Sequence, residues 1–307
     1  MCYTTAPMES LLNFPFSGQT LSLVSAFIWA IAVILFRISG KAVHPLGLNL
    51  FKSILATFLF IITILILNEP LFPLVPFKSY CLFLLSGVIG IGISDTLFFA
   101  CLNRLGASLT AIVDCSYSPF VIFMAALFLF EKLTIFQIFG TFLIITAVIA
   151  VSYEKNNLSI PRKVLLTGIA LGIAAMFSMA VSIIIMKPLL GKTSIMWAIL
   201  IRTIGGILFV GAALKVHPKR RFILAGILSR RNWKTMLPAS ILGGYIAFIT
   251  WMGGMKFTQA SVASALNQMH TIFIFVLGVI FLKEGVTLRK TIALLIAVIG
   301  VLLVTLS

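Results

Sequence analysis

FLFEKLT at residues 128–134 and FLKEGVT at residues 281–287 set the same acidic elbow at the end of two long apolar runs, 153 positions apart. Each elbow leads straight into another apolar run. Sliding residues 100–153 forward by 153 brings Ala107-Ser108 onto Ala260-Ser261, Phe120 onto Phe273, Glu131 onto Glu284 and Thr134 onto Thr287, without a gap. The same slide sets Asp114 on Asn267 and Tyr117 on His270. Nearer the N-terminus, a shift of 150 sets Arg37 on Lys187 and Lys52 on Arg202. The chain reads as a duplication, with residues 1–157 as one repeat and 158–307 as the other.

The medium follows from composition. Of 307 residues, 61% are hydrophobic and 10% charged, against about 25% charged in soluble domains. No aqueous core absorbs that much apolar surface, so the solvent is lipid. Ten runs are long enough to span it: about 20–38, 46–67, 80–102, 107–130, 134–153, 163–186, 194–214, 235–256, 259–282 and 287–306. None shows the two-residue alternation of a barrel strand. The expected fold is an all-α membrane protein of ten transmembrane helices. Five spans per repeat is an odd number, so the two repeats should be inverted about an axis in the membrane plane, an architecture that places a binding site near the midplane between them.

The net charge of +16 invites a nucleic-acid reading, but the basic residues are scattered in links between apolar runs. Placing the N-terminus outside puts sixteen Lys and Arg in cytoplasmic links and five in the others, with Lys52 and Arg202 inside runs. That bias predicts both termini outside. The densest cluster, KVHPKRRFILAGILSRRNWK at 215–234, is expected to attract anionic lipid, not nucleic acid. No Lys or Arg precedes the first apolar run, which argues against a cleaved signal peptide. Cys2, Cys81, Cys101 and Cys115 lack metal-ligand or redox spacing, so neither a disulfide, a metal nor a cofactor is expected.

The elbows have a local reading. Thr134 and Gln137 form a capping-box pattern at the start of the fifth span. Glu131 and Glu284 precede helix starts, where the helix dipole favours an anion. Charges inside spans are the better functional clues, because each costs about 2.5–3.5 kcal/mol to place at a helix centre. Asp95 lies well inside the third run. Asp114, Tyr117 and Ser118 share a face of the fourth run at i, i+3, i+4, and Asn267, His270 and Thr271 share the matching face of the ninth. Two such faces can converge on a cavity; the alternative is polar glue between helices. Pro119 cannot donate to the carbonyl of Cys115, so the fourth helix should bend there. Lys52 and Arg202 read ordinarily as snorkelling side chains and otherwise as contacts for an anion. His44 and His217 read as solvated loop residues. The glycines of SGVIGIGISD at 86–95 should permit close helix approach.

Residues 97–151 and 253–304, each a helix ending in a small loop, then Ala-Ser, a long helix, Glu, a short elbow and a glycine-spotted helix, resemble the drug/metabolite transporter superfamily in its ten-span EamA branch. FIWAIAVILFR at 27–37 adds to the likeness. The second copy departs from it with Gly285 after its glutamate and Lys290 in place of Gln137. The resemblance implies a secondary transporter, not an enzyme, for a small polar metabolite such as an amino acid, nucleoside or related compound, working by alternating access. It also implies that the first, third, fourth, sixth, eighth and ninth helices surround the cavity. On those helices the substrate-binding candidates are Trp29, Asp95, Phe99, Asp114, Tyr117, Ser178, Tyr245, Trp251, Asn267 and His270. Asp95 or Asp114 would take a proton or a substrate amine. The expected setting is a bacterial inner membrane, with a homodimer left open. An intramembrane enzyme or a scaffold without transport is the alternative class. No set of paired catalytic groups at one depth marks an enzyme, and a scaffold has no need of converging polar faces.

Overall fold

A computed structural model describes residues 16–129, 134–152, 161–191, 193–258, 263 and 266–305. Every regular element among them is helical. In chain order they are α1 (Ser17–Ser39), α2 (Pro45–Ile66), α3 (Phe77–Leu105), α4 (Ala107–Phe128), α5 (Ile135–Ser152), α6 (Arg162–Leu190), α7 (Ile195–Val216), the short α8 (Arg220–Leu228), α9 (Arg230–Phe257), α10 (Leu266–Leu282) and α11 (Leu288–Thr305). Seven of them, α1 to α4, α6, α7 and α9, are long and apolar enough to cross a membrane by themselves. The remaining apolar helices, α5, α10 and α11, are shorter. This is an all-helical membrane fold of about ten helices in two repeats.

Local chemistry sets the helix starts. Pro45 occupies the first turn of α2, where its missing N–H costs nothing, and His44 Nδ1 accepts from Leu46 N at 3.3 Å. At α5, Thr134 N donates to Gln137 Oε1 at 3.1 Å and Gln137 N to Thr134 Oγ1 at 3.2 Å. This is the reciprocal capping box its sequence promised. Glu131 lies outside the described residues. Its counterpart Glu284 does not serve the helix that follows it. Its carboxylate accepts from the N–H groups of Ala107 and Ser108 at 2.7 and 2.8 Å, the first turn of α4 in the other repeat. The close fit explains Gly106, whose φ of 83° and lack of a Cβ admit the Glu284 oxygen.

That contact also shows the relative orientation of the two copies. Thr287 lies beside Glu284 at the Ala107 end of α4. Its repeat mate Thr134 lies past the far end of α4. Equivalent positions therefore occupy opposite ends of the bundle, as inverted repeats require. The inner helices form one core in which Phe36, Phe60, Phe83, Trp197 and Met252 are buried, while α5 and α11 pair beside it through Ile144, Ala147, Leu294 and Ala297.

The backbone widens into π-helix at two equivalent places among the described residues. Val88–Ser94 in α3 and Ile241–Ile246 in α9 are π-helical, and a shift of 153 superposes one on the other. The glycines expected to allow close approach do so. A Cβ on Gly87 would lie 2.0 Å from the Arg202 carbonyl oxygen on α7, and one on Gly244 would lie 2.8 Å from Lys52 Cγ on α2. Each π-segment is thus backed by the buried cation of the opposite repeat. The 215–234 segment is structured as α8 and the first turn of α9. His44 and His217 are half-buried with their tilted rings 5.3 Å apart, so they are not simply solvated.

Candidate functional site

A cavity of about 100 Å³ lies in the bundle, lined from α1, α3, α4, α6, α9 and α10. Those are the first, third, fourth, sixth, eighth and ninth long helices. Several of its lining groups sit at irregular points of the backbone. Ser94 ends the π-segment of α3 and Asp95 follows it, and Ala247 and Phe248 follow the π-segment of α9. Asp114 and Tyr117 flank a break in α4 at Cys115–Ser116, where the amides of both residues turn back to the third preceding carbonyl. Pro119 predicts that break, yet Pro119 is not its sole cause. The equivalent break at Met269 in α10 occurs with Ile272 in place of proline. The freed carbonyl of Asp114 accepts from Gln268 Nε2 at 3.2 Å, so a side chain beside the break in α10 serves the break in α4.

Asp114 Oδ2 contacts His270 Nε2, which ties α4 to α10. The other ring nitrogen, Nδ1, faces the carbonyl oxygen of Asn267. A carbonyl is only an acceptor, so this contact orients Nδ1 as its donor. Asp95 makes the second buried ion pair, with Lys52 on α2. The apolar wall is Trp29, Phe98, Met176, Met179, Phe248 and Trp251, with Trp29 against Phe98 and Phe248 against Trp251.

Of the residues singled out in the sequence, Trp29, Asp95, Asp114, Tyr117, Trp251, Asn267 and His270 line this cavity. Three lie elsewhere. Phe99 packs on Phe36 at 4.7 Å and beneath the Lys52 ammonium at 5.4 Å. Ser178 turns back to the carbonyl of Ala174, leaving Met176 and Met179 to face the cavity. Tyr245 stacks on Phe60 and pairs its hydroxyl with Thr63. Lys52 and Arg202 do not snorkel. They are 3% and 0% exposed, held inward by an ion pair and by thioether, hydroxyl and ring contacts. The free thiols of Cys101 and Cys115 are buried, as small apolar residues in spans should be. Phe98, Phe248 and Gln268 were not picked out from sequence. Phe248 stands 153 positions after Asp95, and that correspondence was the signal available.

The two repeats also fasten their ends alike. Arg37 donates to the carbonyl of Asn103 at 2.8 Å, and its counterpart Lys187 donates to the carbonyl of Met255 at 2.8 Å.

The family profile of EamA-like transporters matches residues 16–153 and 166–306, one match per repeat. The chain belongs to the EamA-like transporter family. An uncharacterized transporter of Archaeoglobus fulgidus is 22% identical over 290 residues, which cover 93% of this chain and 97% of the relative. A protein crystal structure aligns with a TM-score of 0.66 at 16% identity, over 94% of this chain and 96% of that one. That likeness speaks of the fold alone. Membership in this family, with the apolar helices, makes the chain an integral multi-pass membrane protein of transporter type.

Proposed function

We propose that the chain carries a small polar organic metabolite across its membrane by alternating access. The observation that supports this is a cavity built from both repeats, with Asp95, Asp114, Asn267 and His270 lining it where their helices are irregular. Irregular backbone is tolerated at membrane depth where it lines such a cavity. The cavity is well below drug size, which suits a compact solute such as an amino acid or a nucleobase-sized compound. Trp29, Asp95, Asp114, Tyr117, Trp251, Asn267 and His270 are the proposed contacts. Asn267 Oδ1 is a buried acceptor without a partner among the described residues.

The proposed setting is a bacterial inner membrane with both termini outside. In that orientation α8 lies at the cytoplasmic surface, with Phe222, Leu224 and Leu228 exposed beside Arg220 and Arg221. It would rest there against anionic lipid.

The test is solute flux into proteoliposomes holding the purified chain, across a panel of amino acids, nucleosides and organic acids. Saturable uptake above protein-free vesicles, reduced at least about tenfold in Asp114→Asn, supports the reading. Flux and pH dependence unchanged in Asp95→Asn and Asp114→Asn together would remove both carboxylates from the mechanism.

A further inference from the structure

Asp95 faces Lys52, and Asp114 faces His270. Arg202 has no such answer. It is fully buried on α7, and among the described residues no carboxylate lies within ion-pair distance of it. The field of Asp95 reaches it, but the Asp95 carboxylate is committed to Lys52. Arg202 Nη1 lies 2.8 Å from Met186 Sδ and 3.7 Å from Met252 Sδ. Its Nη2 lies 3.1 Å from Ser182 Oγ, and Nε has no partner. Thioether sulfur is a weak acceptor, so a guanidinium fork with five donors is left poorly satisfied. A full charge at membrane depth is costly enough that keeping one asks for a reason.

The position of the charge supplies one. The guanidinium carbon lies 5.8 Å from the ring centre of Phe248 and 5.8 Å from that of Trp251. Both rings line the cavity, so they stand between it and Arg202 on that side. We infer that Arg202 is an anion subsite of this cavity, and that the solute it takes carries a carboxylate on a compact apolar body. The carboxylate docks on the guanidinium fork when the two rings part. The planar fork matches a carboxylate with two parallel hydrogen bonds. Trp29, Phe98, Met176 and Met179 receive the apolar part. Lys52 is not available for this role, because Asp95 already neutralises it. The inference rests on the reading of the cavity as the substrate site.

The experiment is thermal unfolding of the purified full chain in detergent, titrated with benzoate, and with benzamide and benzylamine as isosteres of different charge. Any ligand that prefers the folded state raises the apparent Tm. Benzoate is expected to raise it saturably, and the amide and amine are not. Arg202→Met removes the charge. Phe248→Asp gives Arg202 the internal carboxylate that Lys52 already has. Each should weaken benzoate binding by about tenfold or more, the worth of a charge-assisted hydrogen bond. If one variant fails to fold, the other decides; if both fail, the benzoate–benzamide contrast in the wild-type chain decides. Equal responses to benzoate and benzamide, a preference for benzylamine, no response to any of the three, or benzoate binding that survives in a folded variant overturns the inference. Flux on the same preparations separates the two claims. Amine transport without benzoate binding would sink the anion subsite alone. Benzoate binding without flux of any solute would sink the transport reading alone.

Discussion

The two repeats place a cation at equivalent positions of equivalent helices and then treat it differently. In the first, Lys52 on α2 meets Asp95, which follows the π-segment of α3. In the second, Arg202 on α7 meets Phe248, which follows the π-segment of α9 and corresponds to Asp95 under the 153-residue shift. Backbone irregularities, cation positions and packing partners are duplicated; the answering charge is not. The scaffold has kept its symmetry where helix geometry requires it, and has lost it in the side chains that decide what the cavity prefers.

The sharpest way to break that comparison is to remove an answering charge. Asp95→Asn strands Lys52 in a low-dielectric interior, and losing one partner of a buried pair costs about 3–5 kcal/mol. The apparent Tm should fall by roughly 10 °C. Lys52→Met together with Asp95→Leu should restore most of the loss, because the pair itself is worth little against well-packed apolar replacements. A fall no larger than that of a surface control would show that the pair carries no such strain. Arg202→Met tests the other side, with the opposite sign. No internal acid is left behind, and Ser182 keeps its hydrogen bonds to Ser86. The Tm should be unchanged or rise, because the variant no longer desolvates an unmatched charge. A large drop would mean that Arg202 is matched within the chain after all.

A second contrast lies in the elbows. The first copy closes its α5 start with Thr134 and Gln137. The second has Lys290, which cannot accept a hydrogen bond, and Lys290 Nζ donates instead to the carbonyl of Gly285 at 2.8 Å. Glu284 caps α4 across the repeat boundary, so Glu284→Gln should cost about 1–2 kcal/mol, read as a lower Tm and faster amide exchange at Ala107 and Ser108. Loss of protection in α11 with α4 unaffected would contradict the cross-repeat contact. The smallest effect belongs to His44. Burial, then the charges of His217, Lys219 and Arg104, hold its pKa below the ordinary imidazole value of 6.5. The unfolded chain binds the proton first as pH drops, so the stability from a neutral His44 is complete above about pH 6.5. It is lost as pH falls through the lowered folded value. His44→Asn keeps an N-cap acceptor and should flatten that slope, changing Tm at pH 5 to 6 by no more than about 2 °C.

Much of this was legible in the sequence because lipid leaves a chain few options. Long apolar runs, the gap-free 153-residue shift and polar residues inside spans are imposed by the medium, so they can be counted without a structure. The π-segments were not legible, because 88–94 and 241–246 are ordinary helix-compatible residues. Only tertiary packing on Lys52 and Arg202 shows where the turn widens. A π turn takes more residues than an α turn, so side-chain directions shift across 241–246, and Tyr245 lands on Phe60. Phe99 was misjudged differently. Asp95 has neighbours at both i+3 and i+4, and the cavity takes Phe98. The partner of Glu284 lies 177 residues away, beyond the reach of any local pattern. The burial of Lys52 was half readable: Asp95 was recognised as an anomaly, but no spacing rule joins two residues on different helices.

The reach of Glu284 also bears on how the molecule comes to be made. A nascent chain delivers α4 to the bilayer long before the ribosome has reached residue 284. Until then the leading amides of that helix must be served by interfacial water or lipid headgroups. An elbow of the second repeat therefore completes a helix of the first, so that helix start waits on chain made well after it.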